Sequence, residues 1–418
     1  MNDRAPAPSG RHSTDSALPA MQALWPNGSR RLTRRPGRSP ALLVLPSRRS
    51  PRMLVPTGTA GAAAMLWRHS KSRRQRLGQA VLARSVRSGL LPLLPVWRLV
   101  PTRGHGSDSP GSIEEQIRVH VPSAASLGVL LGPVRANAKP VLRIFDTSGR
   151  TIAFGKVGHN ELSAALVRRE AEVLGELSGA PFTSFELPSV LFAGRWGESE
   201  LLLMTPLGAT DSPAGSHAPP SWELPLAAMV ALAEHGGTVE SVISASPFRG
   251  RLGERIDAAP TETAMRLSVL VQRVDRHSGA RALGFGRWHG DWAPWNMGVP
   301  TAVGGSVQVW DWERSETGVP LGFDVVHFLL QREFFRRTAG AEMADVLVES
   351  GSQALARWCP KREHVEATIL LYLVEILARY ATDGGPSPTP QLQSRIATIE
   401  GVFEAVIADR SGRSHAIA

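Results

Sequence analysis

The sequence predicts an α+β fold in which a small strand-rich lobe precedes a larger helical lobe. Two observations lead to this prediction. Between residues 117 and 157, short apolar runs alternate with Gly, Pro, Ser and Asn, as in consecutive strands joined by turns. After Pro220 the apolar residues recur mainly at helical spacing. The chain of 418 residues, 42% hydrophobic and 20% charged, has the composition of a folded protein of two or three domains.

Each element of the strand-rich part is predicted from a local pattern. Apolar runs predict four strands, at residues 117–121, 127–131, 141–145 and 151–157. The last two are joined by Thr147-Ser148-Gly149, which favours a hairpin. A helix over about residues 161–177 and a strand over residues 201–204 follow. In the helical part, one hairpin is expected, with strands at residues 297–303 and 307–310.

Residues 1–110 hold most of the positive charge. They contain 19 Lys and Arg against 3 Asp and Glu, and the whole chain carries +10, so the remainder is mildly acidic. Residues 1–52 are rich in Pro, Ser, Arg and Gly without periodic hydrophobicity, which predicts a basic, disordered extension. We expect residues 53–110 to be an accessory segment and linker, residues 111–205 the strand-rich lobe, and residues 206–418 the helical lobe.

The basic extension bears on which binding partners and which cellular compartment we expect. Its arginine pairs could hold nucleic acid or an anionic membrane surface, but we prefer the interpretation of a solvated tail. No segment reaches the roughly 18 apolar residues that a membrane span needs. The one cysteine, Cys359, cannot form an internal disulfide. We therefore expect a cytoplasmic location, and the sequence indicates no oligomeric state.

The most informative motif lies in the helical part. It runs His289-Gly290-Asp291, four residues, then Asn296, and after the expected hairpin comes Asp311. Phosphoryl transfer needs an acceptor for the proton of the attacking hydroxyl and hard oxygen ligands for magnesium. An Asp at the start of a loop, an Asn five positions on and an Asp delivered by a hairpin can meet both needs. The alternative is that these residues are only helix caps and turn residues.

This motif resembles the catalytic and metal motifs of the aminoglycoside phosphotransferase family, whose relatives include choline, homoserine and fructosamine kinases. The resemblance covers about residues 115–380 and implies the two-lobed protein-kinase-like fold. Carried over by position, Asp291 would be the catalytic base, and Asn296 and Asp311 would be magnesium ligands. His289 would mainly brace the loop.

A kinase of this kind also needs a strand lysine for the phosphates and a helical glutamate to hold it. Lys156 ends an apolar strand, and the next helix carries Glu170 and Glu172. At about 100° per residue, Glu170 falls on the apolar stripe of this helix and Glu172 points away. An acid on an apolar face needs a partner, so we expect Lys156 to pair with Glu170. The alternative is a surface lysine and a glutamate on an exposed helix face.

Nucleotide contacts are placed by chain order alone. Residues 131–139 occupy the position of the phosphate-covering turn but lack a glycine-rich pattern, and Arg135 or Lys139 could add charge there. Met204 and Pro206 would lie in the segment between the lobes whose backbone meets the adenine. Asp324, which follows the second metal motif, would either anchor the active-site loop or cap a helix.

The expected reaction is transfer of the γ-phosphoryl group of ATP, or of GTP, with Mg²⁺, to a hydroxyl of a small molecule such as a sugar, an amino alcohol or an aminoglycoside. A polycationic acceptor would need acidic side chains in its binding site. The candidates are Glu234, Glu240, Glu313 and Glu316. The alternatives are a protein Ser/Thr kinase and a non-catalytic scaffold with this fold. The stretch from Asp311 to Asp324 is short for an activation segment, and every expected catalytic position is filled.

Overall fold

A computed structural model describes residues 18–26, 28, 30–35, 41–59, 62, 65, 81, 84–85, 96–102, 111–132, 137–208, 222–298, 305–338, 340–383 and 388–414. The chain divides into two units. The first comprises Met1–Ser178 and Pro188–Pro219, and the second comprises Gly179–Leu187 and Pro220–Ala418. The fold is α+β, with a large antiparallel sheet in the first unit and mainly helices in the second, as the sequence predicts.

The first unit is built on one sheet in which every recorded strand pair is antiparallel. Its strands are β1 (Arg30–Thr33), β2 (Leu42–Ser47), β3 (Ser50–Pro56), β4 (Arg98–Pro101), β5 (Ser126–Leu130), β6 (Val141–Phe145), β7 (Thr151–Gly158), β9 (Val190–Trp196) and β10 (Ser199–Met204). The spatial order is β1-β4-β2-β3-β5-β6-β7-β10-β9. Apolar side chains on one face form a core with α1 (Leu18–Leu24), including Leu54, Val129, Leu142, Val157 and Leu201. Burying each of these contributes about 1.5–3 kcal/mol.

The basic N-terminal segment adds strands to this sheet. β3 pairs with β5, which joins β1–β4 to the strands that follow. Leu24, Trp25 and Leu43 are buried. These described stretches are ordered, which corrects the expectation of disorder for them. The apolar runs of β2 and β3 are short, but pairing with each other and with β5 lets both bury one face. The expected domain boundaries at residues 52, 110 and 205 stay predictions.

Residues 113–120 form a helix where the sequence pattern suggests a strand. The hydroxyl of Ser112 accepts a hydrogen bond from Glu115 N–H at the start of α2 (Ile113–His120). Ile113 and Ile117, one turn apart, are buried, whereas Val119 is 65% exposed. The alternating apolar residues therefore do not share a face. The N-cap and the acidic first turn decide in favour of the helix.

The helix after β7 begins at a side-chain cap and lies against the sheet. In α3 (Glu161–Glu176), Asn160 and Ser163 exchange hydrogen bonds between side chain and backbone in a capping box. Gly158 approaches the helix so closely that a Cβ would lie 2.5 Å from Cα of Ala164. This close approach fixes α3 beside β7.

The second unit contains seven described helices and two small sheets. The helices are α4 (Leu226–Ala233), α5 (Pro247–Asp257), α6 (Thr261–Ser278), α7 (Phe323–Arg336), α8 (Gly340–Ala354), α9 (Arg362–Asp383) and α10 (Pro390–Ser414). One sheet has the order β11 (Val239–Val242), β12 (Ala282–Trp288), β15 (Glu316–Pro320), and the other β13 (Met297–Gly298), β14 (Val307–Val309), β8 (Phe185–Glu186). The expected hairpin is β13 and β14, shorter than predicted, and residues 299–304 lie outside the described residues. Among the helices in the described part, none has the length and apolar character of a membrane span.

Candidate active site

In the first unit, Lys156 and Glu170 form a buried ion pair. Nζ of Lys156, near the end of β7, lies 2.7 Å from Oε1 and 2.6 Å from Oε2 of Glu170 on α3. Both residues are buried. The Glu172 side chain, in contrast, is 60% exposed and lies beside Arg169. The pairing expected from the helical stripe is therefore confirmed, with Glu170 as the partner.

The other residues expected at the nucleotide are less defined. Arg135 lies outside the described residues. Met204 is the last residue of β10, is buried, and pairs with Phe154 of β7. Thr205 N–H donates to the Ser189 carbonyl at 2.9 Å, and Pro206 has no N–H to offer. The roles of Met204 and Pro206 toward adenine stay predictions.

In the second unit, the loop of residues 289–296 follows β12, and side chains of two helices hold its backbone. Asp324 on α7 accepts hydrogen bonds from His289 N–H at 2.7 Å and from Gly290 N–H at 3.1 Å. Arg379 on α9 donates to the Gly290 carbonyl at 2.5 Å. Burial raises the pKa of Asp324 to about 7, against the opposing effect of the two N–H donors. Asp324 is therefore a loop anchor, and the N-cap of α7 is Gly322.

Gly290 occupies a position that only glycine fits. Its φ of +86° lies in the left-handed region, and a Cβ would lie 2.3 Å from the carbonyl oxygen of Arg314. The glycine of the His-Gly-Asp motif is thus required by both conformation and space.

His289 braces the loop as a neutral ring. Asp291 N–H donates to its Nδ1 at 3.2 Å, and its Nε2 lies 3.1 Å from the Trp310 carbonyl oxygen. Since a carbonyl only accepts, Nε2 carries the hydrogen and Nδ1 is the acceptor. Full burial lowers the pKa of His289 to about 4. The bracing role that the resemblance implies agrees with these contacts.

Asp291 and Asn296 lie in direct contact. Nδ2 of Asn296 donates to the carbonyl oxygen of Asp291 at 2.9 Å and to its Oδ2 at 2.8 Å. The Asp291 side chain remains 41% exposed. Desolvation raises the pKa of this carboxyl, but the neighbouring His327 and Arg379 outweigh it, so the pKa lies below its ordinary value. Asp291 is therefore an ionised, accessible carboxylate at neutral pH.

Asp311 follows directly on the residue that pairs with this loop. Trp310 N–H donates to the Asn296 carbonyl at 3.1 Å, at the end of the β13–β14 pair. Asp311 has φ 69° and ψ 53°, in the left-handed region. Asp tolerates this conformation better than most residues, and such backbone is concentrated at functional sites. The hairpin thus brings the second motif beside the first.

The oxygen donors fit the magnesium ion that the resemblance implies. Asn296 and Asp311 supply an amide oxygen and a carboxylate, the hard donors that magnesium prefers. Both recorded hydrogen bonds of the Asn296 side chain come from Nδ2, and its Oδ1 is the atom that could bind a metal. In the described ranges, no group of three or more His, Cys, Asp and Glu could hold a metal ion. A site completed by phosphate oxygens and water needs only one or two protein carboxylates.

Three residues of this site were not expected from the sequence: His327, Tyr372 and Arg379. Nε2 of His327 lies 3.2 Å from Oδ1 of Asp291, and its Nδ1 lies 2.8 Å from the Tyr372 hydroxyl. His327 follows Asp324 by three positions on α7, so helical spacing could have placed both on one side. Tyr372 and Arg379 carry no comparable signal. The motif tryptophans Trp288, Trp292 and Trp312 are buried, whereas Trp295 is 48% exposed.

Comparisons with known proteins give likeness of fold at low identity. No family model matches the sequence. A search among curated proteins finds no relative. The chain is similar to solved structures of spectinomycin phosphotransferase in complex with ADP and spectinomycin (13% identity, 70% of this chain and 96% of that chain, TM-score 0.41). It is also similar to the GDP complex of aminoglycoside 2′-phosphotransferase-IIIa (12% identity, 71% of this chain and 97% of that chain, TM-score 0.42). A third similar structure is the ethanolamine kinase of Plasmodium vivax (10% identity, 71% of this chain and 85% of that chain, TM-score 0.40). These neighbours are small-molecule phosphotransferases, and their TM-scores lie below 0.5, so the chemistry of this chain is derived below from its own residues.

Proposed function

We propose that this chain is a phosphotransferase that moves the γ-phosphoryl group of ATP, or of GTP, to a hydroxyl of a small molecule, with Mg²⁺. The observation that carries the proposal is the braced loop of the second unit. Its ionised Asp291 is accessible, bonded to Asn296, and followed through the hairpin by Asp311. Such a set supplies a proton acceptor and oxygen ligands, which are the groups that phosphoryl transfer requires.

In this mechanism Asp291 orients the attacking hydroxyl and accepts its proton. The lowered pKa of Asp291 keeps the carboxylate ionised at neutral pH. It can therefore take the proton as the hydroxyl oxygen bonds to the γ-phosphorus and the bond from that phosphorus to the leaving nucleoside diphosphate breaks. A magnesium ion, when bound, would supply positive charge to neutralise the phosphates. Asn296 Oδ1 and Asp311 would hold that ion. Catalysis then comes mainly from positioning and charge neutralisation.

Lys156 is the candidate phosphate-binding residue of the first unit. The carboxylate of Glu170 contacts its ammonium with both oxygens. The acid beside this buried ammonium compensates its loss of contact with water. In the proposed function, Lys156 contacts the nucleotide phosphates and Glu170 fixes its direction.

The acceptor is proposed only as a class of small hydroxyl compounds. Two of the acids considered for a polycationic acceptor are already in ion pairs: Glu234 bonds Arg357, and Glu316 bonds Arg251. A protein acceptor is less well supported. Between Asp311 and α7 the chain forms a short 3₁₀ turn and β15, which leaves no room for a long activation segment.

A thermal-shift titration with ATP and GTP, with magnesium or with EDTA, tests the proposal. The wild-type chain should gain melting temperature with a nucleotide and magnesium. Asp311→Ala should lose the magnesium-dependent part, whereas Asp345→Ala, an exposed Asp on α8, should keep it. A magnesium-dependent shift would be followed by a screen of sugars, amino alcohols and aminoglycosides for ADP release. No shift with either nucleotide would favour a scaffold instead.

A further inference from the structure

His327 lies buried directly behind the proposed base. It belongs to α7, its side chain is 2% exposed, and its two ring nitrogens have different neighbours. Nε2 lies 3.2 Å from Oδ1 of Asp291. Nδ1 lies 2.8 Å from the hydroxyl of Tyr372 on α9, which is also fully buried. The imidazole therefore links the core of the second unit to the Asp291 carboxylate.

The neighbours of the ring determine which nitrogen carries hydrogen. An ionised carboxylate can only accept, so a favourable contact with Asp291 needs hydrogen on Nε2. In a neutral ring Nδ1 is then the acceptor, and it takes the hydrogen of the Tyr372 hydroxyl. The resulting chain of donors runs from Tyr372 through His327 to Asp291. Each group has the role that its partner requires.

The contact between His327 and Asp291 is close but not fully aligned. Nε2 of His327 is a buried nitrogen without an aligned hydrogen-bond partner in the described part of the chain. A buried donor left in this state costs about 1–3 kcal/mol. Its nearest recorded acid is Oδ1 of Asp291. Catalytic hydrogen bonds are often poorly aligned without substrate and tighten in the complex, and a small rotation of the carboxylate would complete this one.

The two oxygens of Asp291 are held from different parts of the unit. Oδ2 accepts from Asn296, five residues along the same loop, so that contact moves with the loop. Oδ1 faces His327, on the helix whose Asp324 anchors the loop backbone. His327 thus ties the carboxylate itself to α7, which Asn296 cannot do.

We propose that His327, oriented by Tyr372, is a positioning residue for Asp291: it fixes the rotation of the carboxylate that receives the proton of the acceptor hydroxyl. This inference rests on the proposed function, because it assigns His327 a part in that reaction. His327 acts through Asp291 and contacts neither nucleotide nor acceptor.

A spectroscopic test addresses the geometry without any acceptor. In the full-length chain with ¹⁵N-labelled histidine, the resonances that disappear in His327→Gln identify His327. They should show hydrogen on Nε2 and a bare, hydrogen-bonded Nδ1. Asp291→Asn should shift the Nε2 signal, and Tyr372→Phe should shift the Nδ1 signal. A ring with hydrogen on Nδ1, or signals that ignore both substitutions, would overturn the proposal.

A kinetic test addresses the effect of His327 on the reaction rate. ADP release is measured with ATP and magnesium, and water serves as the acceptor until a better one is found. His327→Leu should lower kcat about 10- to 100-fold, since a small misplacement of a reacting group can cost that much. The KM for ATP should stay within about twofold of the wild-type value, because the variant removes no contact that binds ATP. His327→Gln, whose amide can donate from nearly the same place, should recover most of the loss. His364→Leu, a half-buried histidine elsewhere on α9, is the matched control.

The outcomes separate this inference from the proposed function. A wild-type chain that neither binds nucleotide nor releases ADP would refute both the proposed function and the role of His327. If the wild type is active, an unchanged kcat in His327→Leu would refute the positioning role alone. Equal losses of kcat in His327→Leu and His327→Gln would do the same. Melting temperatures of all variants, measured alongside, show whether a loss of kcat comes from unfolding.

Discussion

Substituting methionine for Glu170 tests the buried ion pair of the first unit. The variant keeps similar side-chain length but leaves the ammonium of Lys156 buried without the carboxylate that contacts it at 2.6 and 2.7 Å. Breaking a buried pair by removing one partner costs about 3–5 kcal/mol, because an uncompensated charge remains out of water. We expect a loss of that size in Glu170→Met, and a similar loss in Lys156→Met, which takes the contacting ammonium away from the buried acid.

The double variant, Lys156→Met with Glu170→Met, should be more stable than either single variant. Replacing both partners by apolar side chains removes the two buried charges together, which is often nearly neutral for stability. For a unit of about 150–250 residues, 1 kcal/mol changes the melting temperature by about 2–4 °C. The single variants should therefore melt about 6–20 °C below wild type, and the double variant should recover most of that difference.

Urea unfolding followed by circular dichroism, together with calorimetric melting, measures these changes. Glu172→Met is the matched control, because its side chain is 60% exposed beside Arg169 and an exposed pair contributes about 0–1 kcal/mol. Single variants within about 1 kcal/mol of wild type would refute the buried pair. So would a double variant whose loss equals the sum of the two single losses, because no coupling would then exist. Glu170→Met, Lys156→Met and the double variant should all lose the ATP-induced thermal shift, since Lys156 is the proposed phosphate contact and Glu170 holds it in place.

Three further predictions concern the loop and the N-terminal segment. Gly290→Ala should destabilise the second unit by at least about 1–3 kcal/mol in urea unfolding and abolish ADP release, because its Cβ would lie 2.3 Å from the Arg314 carbonyl oxygen at a φ of +86°. The folded pKa of Asp324 is about 7 against an ordinary 3.8, so the folded chain holds a proton that the unfolded chain releases, and stability falls as pH rises between these values. Asp324→Asn should flatten that slope in a melting-temperature series from pH 4 to 7. Deleting residues 1–52 should lower the melting temperature of the first unit, because β1 and β2 leave its sheet and the buried side chains of Leu24, Trp25 and β2 leave its core; an unchanged value would contradict the packing of these elements.

Where a pattern is local, the sequence predicted the structure well. The pairing of Lys156 with Glu170 came from helical periodicity, because an acid on an apolar stripe has few ways to avoid a buried, unpaired charge. The hairpin that brings Asp311 beside Asn296 was expected from turn residues, and only its strand lengths differ. These predictions needed no information beyond about 15 neighbouring residues.

Predictions failed where distant partners decide the outcome. The described strands among residues 30–56 lie in a segment rich in arginine, proline and serine, whose composition resembles a disordered tail. They are ordered through pairing with β4 and β5, which lie tens of residues away. In α2, the alternation of Ile117 and Val119 predicts a strand, whereas the Ser112 cap and the burial of Ile113 favour the helix that forms.

The loop with the His-Gly-Asp motif is held by residues far along the chain. Asp324 and His327, one turn apart on α7, hold the backbone and face the carboxylate of the same loop. Tyr372 and Arg379, two turns apart on α9, hold the histidine ring and the Gly290 carbonyl from the other side. The two helices thus hold the backbone of the loop and place a buried histidine 3.2 Å from its carboxylate. Groups held close to their working positions need little reorganisation when a reaction occurs, which is how fixed polar groups contribute to catalysis. A His-Gly-Asp sequence outside such a setting would have the same local spacing without these contacts, so the contacts from α7 and α9 support the proposed function beyond what the motif alone does.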